Sequence, residues 1–169
     1  MSGFKLVLFI LITTLGIQSC KVSYGFNGAD ICDQCKTISI DYFDNNATNV
    51  NPELSQKLTE SIKDKFNNET PLSLVTRNAD LRFTGYISNY VVKSIAVQGN
   101  ETAAMNRLTI DINVEYENIH QEEKNFESKF SRYADFESSK NLADVESELI
   151  DQIIEQLVQD IFNKSVVNW

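Results

Sequence analysis

Hydrophobic and polar residues alternate in four stretches of the chain, which is the spacing of a β-strand with one buried face. The stretches are residues 37–43, 81–88, 108–116 and 126–136. In the first of them, Ile38, Ile40 and Tyr42 are expected to point inward. Residues 99–102 and 118–121 are predicted to be connections between the last three stretches, and sequential alternating strands joined in this way predict an antiparallel meander.

Two other stretches repeat apolar residues at helical spacing. The first apolar stripe consists of Leu54, Leu58, Ile62 and Phe66. Asn51 is a suitable N-cap and Pro52 suits the first helical position, so this helix is predicted to begin there and to end near Asn68. The last helix is predicted over residues 142–162, where the apolar face is wider.

The predicted element order is therefore β-α-β-β-β-α. Each strand has one apolar face and each helix one apolar stripe, and placing both helices on the same side of the sheet buries all of them. We predict an α+β fold: a two-layer sandwich of a four-stranded, mostly antiparallel sheet with two helices on one face.

This arrangement leaves the other sheet face uncovered. We expect it to carry Ser39, Asp41, Arg82, Thr84, Tyr86, Asp111, Asn113, Glu115, Lys129, Ser131 and Tyr133. Such a face is either simply solvated, as in many antiparallel sheets, or a surface that binds a partner. The pattern alone leaves both interpretations open.

The N-terminus has the features of a secretory signal. Lys5 precedes the apolar run at 6–12, which is far shorter than the about 20 residues that cross a bilayer. The tetrapeptide Ile17-Gln18-Ser19-Cys20 resembles a bacterial lipobox, in which the cysteine is acylated after cleavage. The alternative is an ordinary signal peptide that ends in a chance cysteine.

The predicted organisation has three parts. Residues 1–19 form a lipoprotein signal peptide, residues 20–36 a lipidated tether and loop with the lipid on Cys20, and residues 37–169 a single α+β domain. A chain of 169 residues with 42% hydrophobic and 23% charged residues is typical of one globular domain.

The net charge and the absence of nucleotide-binding and hydrolase motifs argue against several classes of function. Lys and Arg number 15 against 24 Asp and Glu, so the net charge of -9 disfavours nucleic-acid binding. The single histidine, His120, lies in a polar turn, and no nucleotide-binding or hydrolase motif occurs. We therefore predict a protein that is not an enzyme and that uses no metal and no cofactor.

Cys32 and Cys35 form a C-x-x-C pair. Because the pair precedes a predicted strand, it lacks the strand-to-helix setting of a thiol-redox centre. A small disulfide and two free thiols both fit this position, and the redox enzyme ranks far behind them.

Several stretches of the chain resemble one family. They are CKVSYGF at 20–26, KTISI at 36–40, QGNETAA at 98–104, FSRYADF at 130–136 and IFNK at 161–164. In this order they resemble the Bacteroidetes branch of the LptE family of lipopolysaccharide-assembly lipoproteins. The resemblance implies a two-layer α+β fold, lipopolysaccharide as ligand, and the LptD-type outer-membrane β-barrel as the partner whose lumen the lipoprotein plugs.

The resemblance also implies a non-enzymatic protein anchored by its N-terminal lipid to the outer membrane, on the periplasmic side. No motif transfers ligand residues one by one, so the candidate lipopolysaccharide contacts are the sheet-region arginines Arg82, Arg107 and Arg132. The candidate partner surface is Tyr86, Asn113 and Tyr133. The alternative is a free-standing periplasmic lipid- or glycan-binding lipoprotein, which requires an apolar cavity of about 300–1,000 Å³ between helices and sheet.

Overall fold

The computed structural model describes residues 31–49, 51–95 and 104–166. Along this part of the chain the elements are β1 (Thr37–Ile40), β2 (Asp44–Asn45), α1 (Pro52–Glu69), β3 (Ser73–Leu74), β4 (Leu81–Ile95), β5 (Met105–Asn118), β6 (Phe126–Glu137) and α2 (Leu142–Val166). A short 3₁₀ helix over Glu122–Lys124 joins β5 to β6. The predicted signal peptide and most of the predicted tether, including Cys20, lie outside the described residues.

The sheet is mixed, with the strand order β3-β1-β4-β5-β6 and with β2 also beside β4. The predicted meander is confirmed, because β4, β5 and β6 pair antiparallel. The prediction of a four-stranded, mostly antiparallel sheet is wrong, since β1 pairs parallel with both β3 and β4. The physical reason is α1, which carries the chain back to the starting end of β1 before the next strand forms.

The first predicted strand is interrupted. Ile38 and Ile40 are buried as expected, but Tyr42 is 55% exposed and Phe43 is fully buried in its place. The backbone leaves strand geometry after Ile40, and the N–H of Phe43 donates to Thr59 Oγ1 of α1 at 3.1 Å instead of to a strand. The alternation of buried and exposed side chains therefore shifts by one residue between β1 and β2.

Strand β4 is longer than predicted because it contains a β-bulge. Ile87 pairs with Ile112 and Asn89 with Asp111, which leaves Ser88 as the extra residue. Beyond the bulge, Tyr90 rather than Asn89 is buried, so a strict period of two ends at this point. Strand β4 nevertheless continues to Ile95 and pairs with β5 along its whole length.

The core lies between the sheet and the two helices. Asn51 caps α1 as predicted, since its side-chain oxygen accepts from the N–H of Glu53 at 2.9 Å. The Phe66 ring of α1 lies 5.0 Å from that of Phe83 on β4 and 5.2 Å from that of Phe162 on α2. These rings, together with aliphatic side chains from every long element, fill the layer interface, and the sheet face away from them is called here the open face.

Candidate partner surface on the open face

The open face presents polar side chains from neighbouring strands side by side. Tyr86 of β4 lies directly opposite Asn113 of β5, which in turn lies opposite Lys129 of β6. Tyr133 lies opposite Thr109, four residues along β5 from Asn113. Tyr86 is 41% exposed and Tyr133 is 51% exposed. All three residues predicted for the partner surface are therefore brought onto this one face.

A hydrogen-bonded cluster around Asp111 orders the middle of the open face. The Asp111 carboxylate accepts from Lys129 at 2.8 Å, from Ser131 at 2.6 Å and from Asn89 at 3.3 Å. Burial of Asp111 opposes its ionisation, but these hydrogen bonds outweigh the burial and hold its pKa below the ordinary value. Asp111 thus remains a carboxylate that connects β4, β5 and β6.

Two of the predicted ligand arginines, Arg82 and Arg107, lie on the open face, each with a carboxylate partner. Arg82 donates to Asp41 at 2.9 Å. Arg107 makes two hydrogen bonds to Asp135, at 2.7 and 2.8 Å, and its guanidinium lies 3.6 Å from the centre of the Tyr133 ring. The hydrogen bonds to the carboxylates raise the pKa of both arginines.

Arg132 lies on the helix side of the sheet. It makes two hydrogen bonds, at 2.5 and 2.6 Å, to Asp160 of α2, and this contact raises its pKa. Arg82 and Arg107 are separated by ten residues along the β5 register, which is roughly 30 Å at the usual rise of a strand. The structure therefore does not bring the three candidate arginines into one cluster.

Two pairs of like charges on the open face were missed by sequence reasoning. Glu115 lies directly opposite Glu127 at one end, and Lys93 lies directly opposite Arg107 at the other. Lys93 was missed because the bulge at Ser88 shifts the alternation of buried and exposed residues, so the second half of β4 does not continue the pattern of the first. Glu127 carried a signal, since it alternates with the apolar residues of β6, but its neighbour depends on strand register.

A second cluster of polar side chains lies at the end of the sheet where β1 and β4 begin and β5 ends. The Asp80 carboxylate accepts from the backbone N–H groups of Lys36 and Thr37 at 2.8 and 2.9 Å and from the Thr37 hydroxyl at 2.8 Å. Its other oxygen lies 3.0 Å from His120 Nε2. His120 of the predicted polar turn is thus a hydrogen-bond partner of Asp80, and these contacts lower the pKa of Asp80.

Cys32 and Cys35 form a disulfide in the loop before β1, with Cα atoms 5.3 Å apart. Of the two alternatives left open, the structure therefore has the disulfide. Cys35 is buried against the amide oxygen of Asn118, near the Asp80 cluster. The disulfide therefore attaches the loop to this end of the sheet.

Within residues 31–49, 51–95 and 104–166, no three His, Cys, Asp or Glu side chains are arranged to hold a metal ion. None of the helices described there is long and apolar enough to cross a membrane.

The family model described as LptE, lipopolysaccharide-assembly, matches residues 35–165. No curated protein matches the sequence significantly.

Solved structures resemble the chain in fold. A neuraminyllactose-binding hemagglutinin homolog from Helicobacter pylori has a TM-score of 0.52 at 11% identity, covering 84% of this chain and 89% of its own. A minor lipoprotein from Acinetobacter baumannii has a TM-score of 0.47 at 13% identity, covering 78% of this chain and 96% of its own. An uncharacterized lipoprotein B from Nitrosomonas europaea has a TM-score of 0.45 at 13% identity, with 76% and 80% covered.

Proposed function

The chain belongs to the LptE lipopolysaccharide-assembly family, and on this premise we propose that it supports and plugs an LptD-type outer-membrane β-barrel. Proteins of this family are non-enzymatic outer-membrane lipoproteins that serve lipopolysaccharide assembly. In this proposal the domain occupies the barrel lumen, and its open face lies against the barrel.

The observation that carries this proposal is the open face itself. The helices cover one side of the sheet, while the other side is polar and carries the exposed rings of Tyr86 and Tyr133. A barrel lumen is polar and hydrated, so a polar face suits it better than an apolar one. Tyrosine is among the residues enriched at protein interfaces because its ring packs while its hydroxyl stays hydrogen-bonded.

We also propose the anchor and the location. The lipobox-like tetrapeptide ending at Cys20 supports acylation of that cysteine, which would hold the domain at the periplasmic side of the outer membrane. Several acyl chains, at about 0.8 kcal/mol per buried CH₂, suffice for stable anchoring.

Site-directed photo-crosslinking in intact cells tests the seating of the open face. A photoreactive residue at Tyr86 or Tyr133 is expected to crosslink to a large barrel protein, and the wild-type protein is expected to co-purify with that barrel. Gln152, which is exposed on α2, is the matched control on the opposite side of the molecule. Recovery of the wild-type protein alone from solubilised outer membrane contradicts the plug function, whereas a barrel crosslink from Gln152 but not from Tyr86 or Tyr133 contradicts the seating.

We propose that Arg82, Arg107 and Arg132 contact lipopolysaccharide, and their carboxylate partners make this proposal testable. A lipid A phosphate at Arg107 would have to compete with Asp135, because both bind the same guanidinium edge. Asp135→Asn is therefore expected to tighten lipopolysaccharide binding by about two- to fivefold, and Arg107→Ala to weaken it by a similar factor.

Titration of the purified lipoprotein with fluorescent lipopolysaccharide in detergent measures these effects. Asp160→Asn and Asp41→Asn apply the same test to Arg132 and Arg82, and Arg77→Ala, in the turn before β4, is the matched control. An arginine is not a contact if neither its own removal nor the release of its partner changes the affinity.

The alternative of a free-standing lipid-binding domain receives little support. It requires an apolar cavity between helices and sheet, whereas Leu58, Phe83, Ile112 and Ile153 are fully buried in that layer. A groove of about 460 Å³ between α1 and α2 lies on the outer surface and is lined largely by charged and polar side chains.

A further inference from the structure

Strand β6 forms one edge of the sheet, and it lacks several features that keep an edge from pairing further. Among the described residues, β5 is its only neighbour, along the whole range Phe126–Glu137. Natural proteins protect sheet edges with short strands, proline, β-bulges or charged side chains. Strand β3, at the other edge, has two residues, whereas β6 has twelve, contains no proline and follows one unbroken register with β5.

The charged side chains in the middle of β6 do not block this edge, because neighbouring elements hold them. Each of the three between Ser128 and Phe136 makes an ion pair with β5 or α2: Lys129 with Asp111, Arg132 with Asp160 and Asp135 with Arg107. These contacts draw the side chains toward β5 and α2 and away from the outer edge.

The register of β6 with β5 defines which backbone groups face outward. The N–H of Ser138 donates to the carbonyl oxygen of Ala104 at 3.0 Å, so the even-numbered residues of β6 exchange hydrogen bonds with β5. The odd-numbered residues between them direct their N–H and C=O groups to the other side, and they are Glu127, Lys129, Ser131, Tyr133 and Asp135. No backbone hydrogen bond to these groups is formed within the described part of the chain.

The outer edge continues directly into the open face. Side chains and backbone groups both alternate along a strand, so the residues with outward backbone groups also have their side chains on the open face. Ser131 and Tyr133 are two of them. A partner that lies on the open face beside β6 therefore reaches the unpaired N–H and C=O groups at its border.

A groove on the helix side of this edge has room for the side chains of an added strand. It has a volume of about 480 Å³ and lies between β6 and α2, lined by Arg132, Glu155, Gln156, Gln159 and Asp160. Helix α2 lies over β5 and β6 while α1 lies over the first strands, so the groove is on the β6 side of the helix layer. Its two carboxylates and one guanidinium favour polar or basic side chains over apolar ones.

We propose that an extended segment of the protein partner pairs with the outer edge of β6 and adds a strand to the sheet. Its backbone supplies the hydrogen bonds, and its side chains lie alternately on the open face and in the groove beside α2. The inference rests on the proposed function, since the partner is the barrel protein. The wall of a closed barrel has no free edge, so the segment is a loop or a terminal segment of that protein.

The spacing of the outward groups selects a polypeptide as the occupant. These groups recur at every second residue, roughly 7 Å apart, with an N–H and a C=O at each position. An extended backbone presents complementary groups at the same spacing, whereas a glycolipid presents hydroxyl and phosphate groups without this repeat. The edge therefore fits a protein segment rather than lipopolysaccharide.

Proline substitution in the full-length lipoprotein tests the inference. Ser131→Pro removes one outward N–H, and a strand tolerates proline where the N–H points away from the ladder. Ser131→Ala is the matched control, because both variants lose the hydroxyl that donates to Asp111 and only the proline variant loses the N–H. Co-purification of the barrel is expected to be about threefold to tenfold lower for Ser131→Pro than for Ser131→Ala.

A second position guards against a folding defect. Glu127→Pro compared with Glu127→Ala repeats the test at another outward N–H, away from the Asp111 cluster. The melting temperatures of each proline and alanine pair are measured beside barrel recovery and are expected to stay close. Equal recovery of the barrel by the folded proline and alanine variants overturns the inference but leaves the plug function standing, whereas absence of a wild-type barrel complex overturns both.

Amide hydrogen exchange separates strand pairing from simple contact. The outward N–H groups of Lys129, Ser131 and Tyr133 are expected to exchange rapidly in the free lipoprotein and about tenfold or more slowly in the purified barrel complex. Unchanged exchange in an intact complex contradicts the added strand. Slow exchange already in the free lipoprotein contradicts it as well: dependence on protein concentration then identifies a second copy, and independence identifies another segment of this chain.

Discussion

At position 85 the packed side of β4 has no room for a side chain. A Cβ built on Gly85 would overlap the backbone oxygen of Asn113 and the ring of Phe43. Phe43 takes this space because the chain leaves strand geometry after Ile40 and turns that ring inward. Gly85 is therefore the position on β4 that permits the interruption between β1 and β2.

Gly85→Ala is expected to lower the free energy of unfolding by about 1–3 kcal/mol, since overpacking a filled core displaces its neighbours. Urea unfolding followed by the fluorescence or circular dichroism of the full-length protein in detergent measures the loss. Thr84→Ala, on the opposite face of the same strand, is the control and should change stability much less. Equal effects of the two substitutions would contradict the packing argument.

Asp80 predicts an acid-sensitive contribution to stability. Its pKa in the folded protein lies below the ordinary value of 3.8, because the backbone of Lys36, the hydroxyl of Thr37 and His120 hydrogen-bond to its carboxylate. A group whose pKa is lowered on folding stabilises the protein above its unfolded pKa, and this contribution is lost as the pH falls below about 4.

Asp80→Asn is expected to cost roughly 1–3 kcal/mol at pH 7. The difference from wild type should shrink as the pH falls toward 3, which denaturation curves at several pH values will show. Asp64→Asn on the exposed side of α1 serves as the reference for a carboxylate without these contacts. A difference that stays constant from pH 7 to pH 3 would rule out the proposed role of the ionised carboxylate.

At the scale of elements, one side chain joins three of them. Glu146 of α2 accepts from Asn51 at the start of α1, at 3.0 Å, and from the hydroxyl of Tyr90 on β4. Asn51 also caps α1 through the N–H of Glu53. The N-terminal ends of both helices and the second half of β4 are thereby connected through two residues.

Asn51→Ala is expected to reduce stability by about 0.5–2 kcal/mol through the cap, with a further loss from the bond to Glu146. Asn51→Ser separates the two contributions, because serine can cap the helix but has no amide to donate to Glu146. Thermal unfolding should find the wild type most stable, the Asn51→Ser variant intermediate and the Asn51→Ala variant least stable. Loss of stability by serine as large as that by alanine would show that the cap contributes little.

How far the sequence predicts the elements depends on the length of each regular pattern. The five apolar positions from Leu108 to Tyr116 define β5 without help from other elements, and the cap and stripe of α1 do the same. Strand β3 has two residues, too few to show a period. At Tyr42 and Phe43 two adjacent aromatic residues suit the core equally well, and only tertiary packing selects one.

The sequence predicts which residues of the candidate site share one face of the sheet, but it does not predict which residues they contact. The side of the sheet on which Tyr86, Asn113 and Tyr133 lie follows from their position in an alternating strand. The carboxylate partners of Arg82 and Arg107 depend instead on strand register and lie 41 and 28 residues away in the sequence. The bulge at Ser88 also cannot be inferred from alternation alone.

At the scale of the whole molecule, anchoring and folding are predicted to be separable. Cys20→Ala is expected to abolish labelling with alkyne-palmitate and to release the protein from the outer-membrane fraction. The same substitution should leave the melting temperature of the α+β domain unchanged, because the described core begins after residue 30. Cys32→Ser with Cys35→Ser is the matched control and should retain the label, whereas label on the Cys20→Ala protein would contradict acylation at that position.

Strand β1 lies between β3 and β4 and pairs parallel with both, and this affects the order in which the strands can pair after export. Ile38 pairs with residues 74 and 81, so β1 has no sheet neighbours until about forty more residues have emerged and α1 has crossed over. The hairpins of the meander need no such delay, because their partners are adjacent in the chain. The N-terminal strand therefore joins the sheet only after this crossover, which leaves an interval for modifying enzymes to reach the segment before it.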